Sequence, residues 1–264
     1  MGILNITPDS FADGGLYLDP ARAVDAGVAM AAAGADILDV GGESTRPGAD
    51  PLPEAEELRR VLPVIERLAP RITIPISIDT YKASVARAAI GAGASIINDV
   101  SGLLYEPALA GVAADTGVAL VLMHTRGRSK TMYSLAKYDD VVGEIAGELG
   151  GAMERAMSAG VRREAIVIDP GFGFAKKAEH SYAALAGLGA IARRLDRPIL
   201  SGPSRKSFLK SVLGERPTDE REWGTAAAVT ASVLFGAHIV RVHNVGAMLD
   251  AVRVADRLRE ASGV

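Results

Sequence analysis

Short apolar runs recur along the chain, and each ends in a polar or charged residue followed by glycine, proline or threonine. Eight such runs are present: GILNIT, ADILDVGG, IPISIDT, ASIINDV, VALVLMHT, AIVIDPG, RPILSG and HIVRVHN. Near-continuous apolar runs are typical of the buried strands of a parallel sheet, which is covered on both faces. The pattern therefore predicts eight parallel strands with polar groups at their carboxyl ends.

Helical patterns fill the intervals between these runs. The predicted helices cover residues 20–33, 54–69, 82–92, 106–116, 139–159, 179–195, 205–213, 221–235 and 245–261. Asp19 is a candidate N-cap for the first helix, which is predicted to end at Gly34. Regular alternation of strand and helix over 264 residues, close to the roughly 250 of a (β/α)8 barrel, predicts a single eight-stranded parallel (β/α)8 TIM barrel. We expect one domain over residues 1–264.

Connections of unequal length indicate which end of this barrel is functional. The segments after the first, second and fifth runs are long (7–15, 43–53 and 125–139), whereas the returns from helix to strand are short and often Gly-Ala. Long loops at the carboxyl ends of the strands are where barrel enzymes place their active sites. We therefore expect function at this C-terminal rim.

Composition narrows the choice of partners. The net charge of −3 provides no positive field for nucleic acid or a membrane surface, so any anion site must be local. Zero cysteines exclude disulfides, thiolate nucleophiles and cysteine-ligated zinc. No leader and no long apolar span is visible, so we expect a cytoplasmic protein that binds neither nucleic acid nor membranes.

Carboxylates follow three of the predicted strands, at Asp39, Asp79 and Asp169, and Asn98 follows a fourth. Each could cap a nearby loop or helix. Barrel closure would direct all four towards one space, where acceptors beside an amide suit a flat heterocycle with amino and ring N–H groups.

Cationic groups belong to the ends of strands two, seven and eight, at Arg46, Arg205, Lys206, Arg241 and His243. Loops after strands seven and eight often bind phosphate in barrels, and the spacing of Arg241 and His243 puts both on one face. The alternative for Arg241 is an ion pair with an aspartate of the rim. Lys206 could pair with such an aspartate, bind the ligand or form a Schiff base, and its polar neighbours favour ligand binding.

Longer motifs resemble one enzyme family over essentially the whole chain. In order, these motifs are MGILNITPDSFADGG, DVGGESTRPGA, SIDT, IINDVSG, DPGFGF, SRKSFL and GAHIVRVH. They are similar to those of the dihydropteroate synthases. The resemblance implies condensation of 6-hydroxymethyl-7,8-dihydropterin diphosphate with 4-aminobenzoate, which gives dihydropteroate and pyrophosphate for folate synthesis, with Mg²⁺ as cofactor and a homodimer as the assembly.

The same resemblance assigns roles to individual residues. Pterin binding is implied for Asp79, Asn98, Asp169, Phe174 and Lys206. Diphosphate binding is implied for Asn5, Arg241 and His243, with Asn5 also a ligand of Mg²⁺. Aminobenzoate binding is implied for Phe11, Thr45, Arg46, Pro47 and Ser207. Catalytic roles are implied for Asp39, close to the reacting methylene, and for Thr45, Arg46 and Lys206.

Two residues depart from the family pattern. Asn244 replaces the usual acid after His243, which would change the preferred tautomer of His243 if that acid orients it. Ser129 replaces a frequent proline, which predicts a looser loop after the fifth strand. The hairpin that relatives often place before the first strand is not found in the sequence. His124, at the end of the fifth strand, has no predicted role.

Three other functions share part of the pattern. A methyltetrahydrofolate–corrinoid methyltransferase would use the same pterin-facing acids but has no need of Asn5 or of a diphosphate site. A non-catalytic pterin-binding protein is suggested only by Asn244. A Schiff-base aldolase would depend on Lys206.

Overall fold

The computed structural model describes residues 1–7, 19–46 and 48–262. Eight strands alternate with the helices. The strands are β1 (Gly2–Asn5), β2 (Leu38–Gly41), β3 (Ile76–Asp79), β4 (Ile96–Asp99), β5 (Ala119–Met123), β6 (Ile166–Asp169), β7 (Leu200–Ser201) and β8 (Ile239–Val240). The helices are α1 (Pro20–Ala32), α2 (Glu54–Leu68), α3 (Ala83–Gly91), α4 (Leu109–Thr116), α5 (Val141–Ser158), α6 (Ala178–Ala186), α7 (Leu188–Leu195), α8 (Lys210–Leu213), α9 (Glu222–Leu234) and α10 (Val245–Ser262).

All strand pairings are parallel, and together they close a ring. Strands β1 to β6 pair in chain order, and β7 pairs with β8. Parallel bridges between Ile168 and Ile199 and between Gly2 and Val242 join the two sets. At the second junction the Ile3 N–H donates to the Val242 carbonyl at 2.9 Å. The predicted (β/α)8 barrel is confirmed.

Side chains along each strand point alternately outward to the helices and inward to the barrel axis. In β3, for example, Ile76 and Ile78 belong to the main hydrophobic core, whereas Ser77 and Asp79 are buried polar residues of the opposite face. A separate small cluster built on Met1, Val121 and Leu200 fills part of the barrel interior. The interior therefore changes from apolar to polar towards the carboxyl ends of the strands.

Local sequence signals explain some helix boundaries. The Asp19 carboxylate accepts a hydrogen bond from the Ala21 N–H at 3.0 Å, which confirms the predicted N-cap of α1. The single helix expected over 179–195 is instead two helices, α6 and α7, which meet at Gly187. A Cβ at Gly187 would lie 2.4 Å from a methyl group of Val142, so only glycine permits α5 to approach this closely. Within the described residues, no helix is both long and apolar enough to cross a membrane.

A buried ion triad joins three segments beneath the second loop. The Lys82 ammonium contacts the carboxylates of Glu43, in the loop after β2, and of Glu57, on α2. Glu57 is only 1% exposed, and burial raises its pKa. The Tyr81 hydroxyl also donates to Glu43, at 3.1 Å. This triad fixes the first residues of the loop that contains Thr45 and Arg46.

We predict that Lys82→Met lowers the free energy of unfolding by about 3–5 kcal/mol, because the buried carboxylate of Glu57 would lose its cation. Urea denaturation at neutral pH measures this loss. The control is Lys130→Met, which removes an ion pair with Asp50 in which both side chains are more than half exposed. Its loss should stay below about 1 kcal/mol, and equal losses for the two variants would contradict the prediction.

Candidate active site

Four neighbouring strands bring residues at or next to their carboxyl ends to one level of the barrel. The backbone pairs Asn5 with Gly41, Gly41 with Asp79, and Asp79 with Asn98. Gly41 has no side chain between its two polar neighbours, and a Cβ there would lie 3.6 Å from Asp79 Oδ2 and 3.7 Å from Asn5 Oδ1. Asp39, two residues before Gly41, lies one level deeper and is fully buried. The structure thus brings the predicted polar residues of β1 to β4 together.

One guanidinium group joins two of these carboxylates across the barrel. Arg241, at the end of β8, donates from Nε to Asp39 Oδ2 at 2.6 Å and from Nη2 to Asp79 Oδ2 at 2.7 Å. Asn98 Nδ2 also donates to Asp39 Oδ2, at 3.0 Å. The alternative ion pair considered for Arg241 is therefore present, with two aspartates rather than one. Nη1 makes no hydrogen bond to a described residue, so phosphate binding by Arg241 stays a prediction.

The second oxygens of both aspartates are buried acceptors without a donor. Asp39 Oδ1 and Asp79 Oδ1 make no hydrogen bond to any described residue. Burial raises the pKa of Asp79 to about 7, against the opposing effect of Arg241 and with a further rise from Asp39. A ligand that supplies N–H donors to these oxygens would offset the free-energy cost of burying them without hydrogen bonds.

The turn after β6 has an unusual backbone. Gly171 and Gly173 have φ angles of +69° and +78°, and Ala175 also lies in the left-handed region at 48°. The Gly171 N–H donates to Asp169 Oδ1 at 2.7 Å, which aims the carboxylate. Of the two aromatic rings in this turn, Phe172 is buried and packs on Phe208 at 6.0 Å. Phe174 is half-buried and can face a ligand.

Lys206 lies against this turn from the segment after β7. Its ammonium donates to the Phe172 carbonyl at 3.0 Å and lies 4.2 Å from the centre of the Phe174 ring. Burial lowers the pKa of Lys206 to about 8, and the nearby Asp169 opposes that shift. The lysine is thus positioned beside the acid and the ring that were predicted to hold the pterin.

His243 is a neutral histidine in a cationic surrounding. Burial lowers its pKa to about 3, and Arg205, Arg241, Arg46 and Lys206 lower it further. Ser204 Oγ accepts a hydrogen bond from the backbone N–H of His243 at 3.3 Å and lies 2.9 Å from the ring Nδ1. If the hydroxyl proton points to Nδ1, the ring keeps its proton on Nε2, a donor suited to a phosphate oxygen.

Asn244 does not orient His243. Its Oδ1 accepts from the Ala247 N–H at 3.3 Å, so the side chain caps the start of α10, as an aspartate would. Ser204 contacts the histidine instead. The departure from the family pattern at Asn244 therefore affects a helix end and not the site.

The second loop carries two of the predicted aminobenzoate residues. Thr45 is half-buried, Arg46 is exposed, and Ser207 is exposed directly after Lys206. Phe11 and Pro47 lie outside the described residues. The looser loop that was predicted from Ser129 is not observed. The hydroxyl of Ser129 donates to the Ala49 carbonyl at 2.8 Å and the backbone carbonyl of Ser129 accepts from Gly48, so this residue fastens the two loops together.

Residues that the sequence did not identify lie behind the β6 turn. Lys176 is fully buried and contacts His124, which in turn contacts Glu148 on α5. His124 stood out only as a polar residue at a strand end. Lys176 carried one signal in the sequence, a lysine directly after the DPGFGFA stretch.

Two chemical properties meet in this site. Buried carboxylates and an amide offer acceptors at one level, and cations lie beside them at the ends of β7 and β8. The described residues hold no group of three or more histidine, cysteine or acidic side chains able to bind a metal by themselves. The arrangement suits a flat ligand that is rich in N–H groups and carries an anionic substituent.

Comparison with known proteins identifies the class. Residues 1–243 match the model of the pterin binding enzyme family, and the chain belongs to that family. A dihydropteroate synthase of Synechocystis sp. is 46% identical over 98% of this chain and 89% of its own length. The chain is therefore a member of the dihydropteroate synthases within that family.

Solved structures agree with this assignment. A Yersinia pestis dihydropteroate synthase in complex with a sulfonamide drug has a TM-score of 0.94 and 41% identity, and covers 98% of this chain and 94% of its own. A Xanthomonas albilineans dihydropteroate synthase in complex with 7,8-dihydropteroate has a TM-score of 0.87 and 40% identity, with 98% and 92% covered.

We predict that Gly171→Ala lowers the free energy of unfolding by more than about 2 kcal/mol and weakens pterin binding. A left-handed alanine costs about 1–2 kcal/mol, and the added Cβ would lie 2.1 Å from the His124 carbonyl oxygen. Chemical denaturation and pterin titration measure the two effects.

The matched control is Gly147→Ala on α5, where an added Cβ meets no described atom within 4 Å. It should stabilise the protein by about 0.5–1 kcal/mol and leave pterin binding unchanged. Unchanged stability and binding in Gly171→Ala would show that the turn can adopt another conformation.

Proposed function

We propose that the chain condenses 6-hydroxymethyl-7,8-dihydropterin diphosphate with 4-aminobenzoate to give 7,8-dihydropteroate and pyrophosphate. The observation that carries this proposal is a pair of buried carboxylate oxygens, Asp39 Oδ1 and Asp79 Oδ1, that have no donor among the described residues and lie next to the cations that follow β7 and β8. The names of relatives that are 44–48% identical over nearly the whole chain support the same reaction.

The pterin ring fits the acceptor side of the site. Its amino and ring N–H groups can donate to Asp79 and Asp169, and Asn98 can both donate and accept. The Lys206 ammonium, held at 3.0 Å from the Phe172 carbonyl, can donate its other protons to the ring acceptors. Phe174, beneath that ammonium, supplies an apolar face for the planar ring.

The diphosphate fits the cationic side. Arg241 and the Nε2–H of His243 are candidate donors to its oxygens, and these charge-assisted hydrogen bonds strengthen as the leaving pyrophosphate gains charge. Asn5 Oδ1 is an oxygen ligand in the space next to Asp79, and the Asn5 side chain makes no hydrogen bond to a described residue. A single amide oxygen suits Mg²⁺, which binds through few protein groups together with substrate phosphates and water. That ion would supply charge neutralisation for the diphosphate.

Bond formation needs little acid–base help from the protein. The aminobenzoate nitrogen attacks the methylene carbon, the carbon–oxygen bond to the diphosphate breaks, and the nitrogen then loses a proton. Asp39, buried beneath this level, can stabilise positive charge that develops at the methylene group. Thr45, Arg46 and Ser207, with Phe11 and Pro47, are the candidates for holding aminobenzoate and excluding water.

The contacts of Asn244 and Lys206 do not support the alternative functions. Asn244 was the only hint of a non-catalytic pterin-binding protein, and it caps α10. Lys206 contacts a carbonyl and an aromatic ring, which supports ligand binding over imine formation. None of these contacts favours a methyltransferase over the proposed reaction.

We further propose a homodimer that forms through α9, α10 and the adjoining turns. These segments pack on each other and carry exposed apolar side chains, of which Trp223 is 88% and Val254 60% exposed. A cytoplasmic location is also proposed, because a chain with no cysteine suits a reducing compartment.

The direct test supplies pterin diphosphate, 4-aminobenzoate and Mg²⁺, and measures dihydropteroate and pyrophosphate. Equal amounts of the two products are expected, and omission of Mg²⁺ should lower the rate strongly. Tight pterin binding without product formation would overturn the proposed reaction and support the binding-protein alternative.

We also predict that pterin affinity falls about tenfold between pH 7 and pH 9, because the pKa of Lys206 is about 8 and its charged form is the donor. Below pH 8 the ammonium is present, and above it the proton is lost. Lys206→Arg is the control, since a guanidinium keeps its charge throughout this range. Titration of Asp79 or of the ligand is common to both proteins, so parallel pH profiles would refute the role of Lys206.

A further inference from the structure

Lys176 is a buried ammonium group that the proposed reaction does not use. It follows the turn after β6, two residues before the start of α6, and is 1% exposed. Its Nζ donates to the Phe174 carbonyl at 3.0 Å and lies 2.7 Å from His124 Nδ1 and 3.4 Å from the His124 carbonyl. Within the described ranges it forms no ion pair. A buried cation with only neutral contacts is costly, so its retention needs a reason.

The contacts of His124 define how this ammonium is held. Burial lowers the pKa of His124 to about 4, and the charge of Lys176 lowers it further, so the ring is neutral. Burial lowers the pKa of Lys176 to about 7, and in the ammonium form, which predominates below that pH, Lys176 has no lone pair, so Nδ1 accepts from it. The ring proton is then on Nε2, which lies 3.0 Å from Glu148 Oε2. Arg126 binds the same Glu148 carboxylate and fixes its position.

The β6 turn depends on contacts of this kind. Three of its residues, Gly171, Gly173 and Ala175, have left-handed backbone angles, and for alanine this conformation is strained. Two ammonium groups donate to carbonyls of the turn. Lys206 contacts the Phe172 carbonyl, and Lys176 contacts the Phe174 carbonyl. The turn carries Phe174, and its Gly171 N–H aims Asp169.

We propose that Lys176 is a positioning residue that, oriented by His124 and Glu148, holds the β6 turn so that Asp169 and Phe174 face the pterin. The inference rests on the proposed function only in naming the pterin as the ligand. Lys176 does not touch the ligand in this account. It acts through the turn and through its positive charge near Asp169, whose electrostatic effect reaches the ammonium.

The first test is Lys176→Met, which keeps the length of the side chain and removes its charge and donors. We expect the dissociation constant for the pterin alone, measured by titration, to rise about tenfold or more, since a charged hydrogen bond is lost. The KM for 4-aminobenzoate at saturating pterin diphosphate should change less than about twofold. The control is Lys177→Met, the same substitution at the exposed neighbour, which should leave both constants unchanged.

The second test separates the hydrogen bond from packing at His124. His124→Asn provides an amide oxygen that can accept from Lys176, whereas His124→Leu fills more of the space but has no acceptor. The proposal expects His124→Asn to bind the pterin more tightly than His124→Leu, by about fivefold or more. A purely structural role for His124 expects the reverse order, because asparagine leaves the larger cavity.

The outcomes distinguish this inference from the proposed function. Product formation by the unchanged chain tests the reaction, and the relative pterin affinities of the variants test Lys176. Unchanged pterin binding in Lys176→Met, or tighter binding in His124→Leu than in His124→Asn, overturns the inference even if the enzyme is active. If Lys176→Met fails to fold, the order of the two His124 variants decides.

Discussion

Arg241 holds two buried aspartates that would otherwise repel each other in the interior of the barrel. Its guanidinium group donates to Asp39 on β2 and to Asp79 on β3, and it comes from β8 on the far side of β1. The charges of β2, β3 and β8 therefore partly neutralise each other. A single cation does not fully compensate two buried anions, and burial still raises the pKa of Asp79 to about 7. The remaining need for donors is what makes the site specific for a ligand rich in N–H groups.

The same logic applies at the β6 turn, with the charges reversed. Two lysines lie around one aspartate, Asp169: Lys176 is buried and Lys206 is half-buried. Desolvation lowers the pKa of Lys176 to about 7 and that of Lys206 to about 8. Lys206 lies beside the ligand space, whereas Lys176 lies behind the turn. The site therefore has an excess of negative charge on the side of Asp39 and Asp79 and an excess of positive charge on the side of the lysines. A ligand with N–H donors at one end and an anionic group at the other is complementary to this charge distribution.

The sequence was sufficient to predict the barrel because strand and helix periods are local properties. Apolar runs such as ISID in β3 and IVID in β6 ended at the polar residues that the structure brings together. Which polar residues contact each other was not predictable, since Arg241 and Asp39 are 202 positions apart and their pairing depends on the closure of the ring. Lys176 was missed for a related reason. Its burial follows from the left-handed turn, which the preceding DPGFGFA stretch indicated, and from α5, which leaves no signal next to the lysine itself.

At the two departures from the family pattern, the effect predicted from the residue type alone differs from the effect that the contacts show. Asn244 suggested a change at the diphosphate site, but its side chain turns to the α10 backbone, where an amide and a carboxylate cap equally well. Ser129 suggested a looser loop, yet its hydroxyl donates to Ala49 and adds a contact that proline has no donor to make. Because Glu43 fastens the start of the second loop through Lys82 and Ser129 fastens its middle, Thr45 and Arg46 are held between two fixed points.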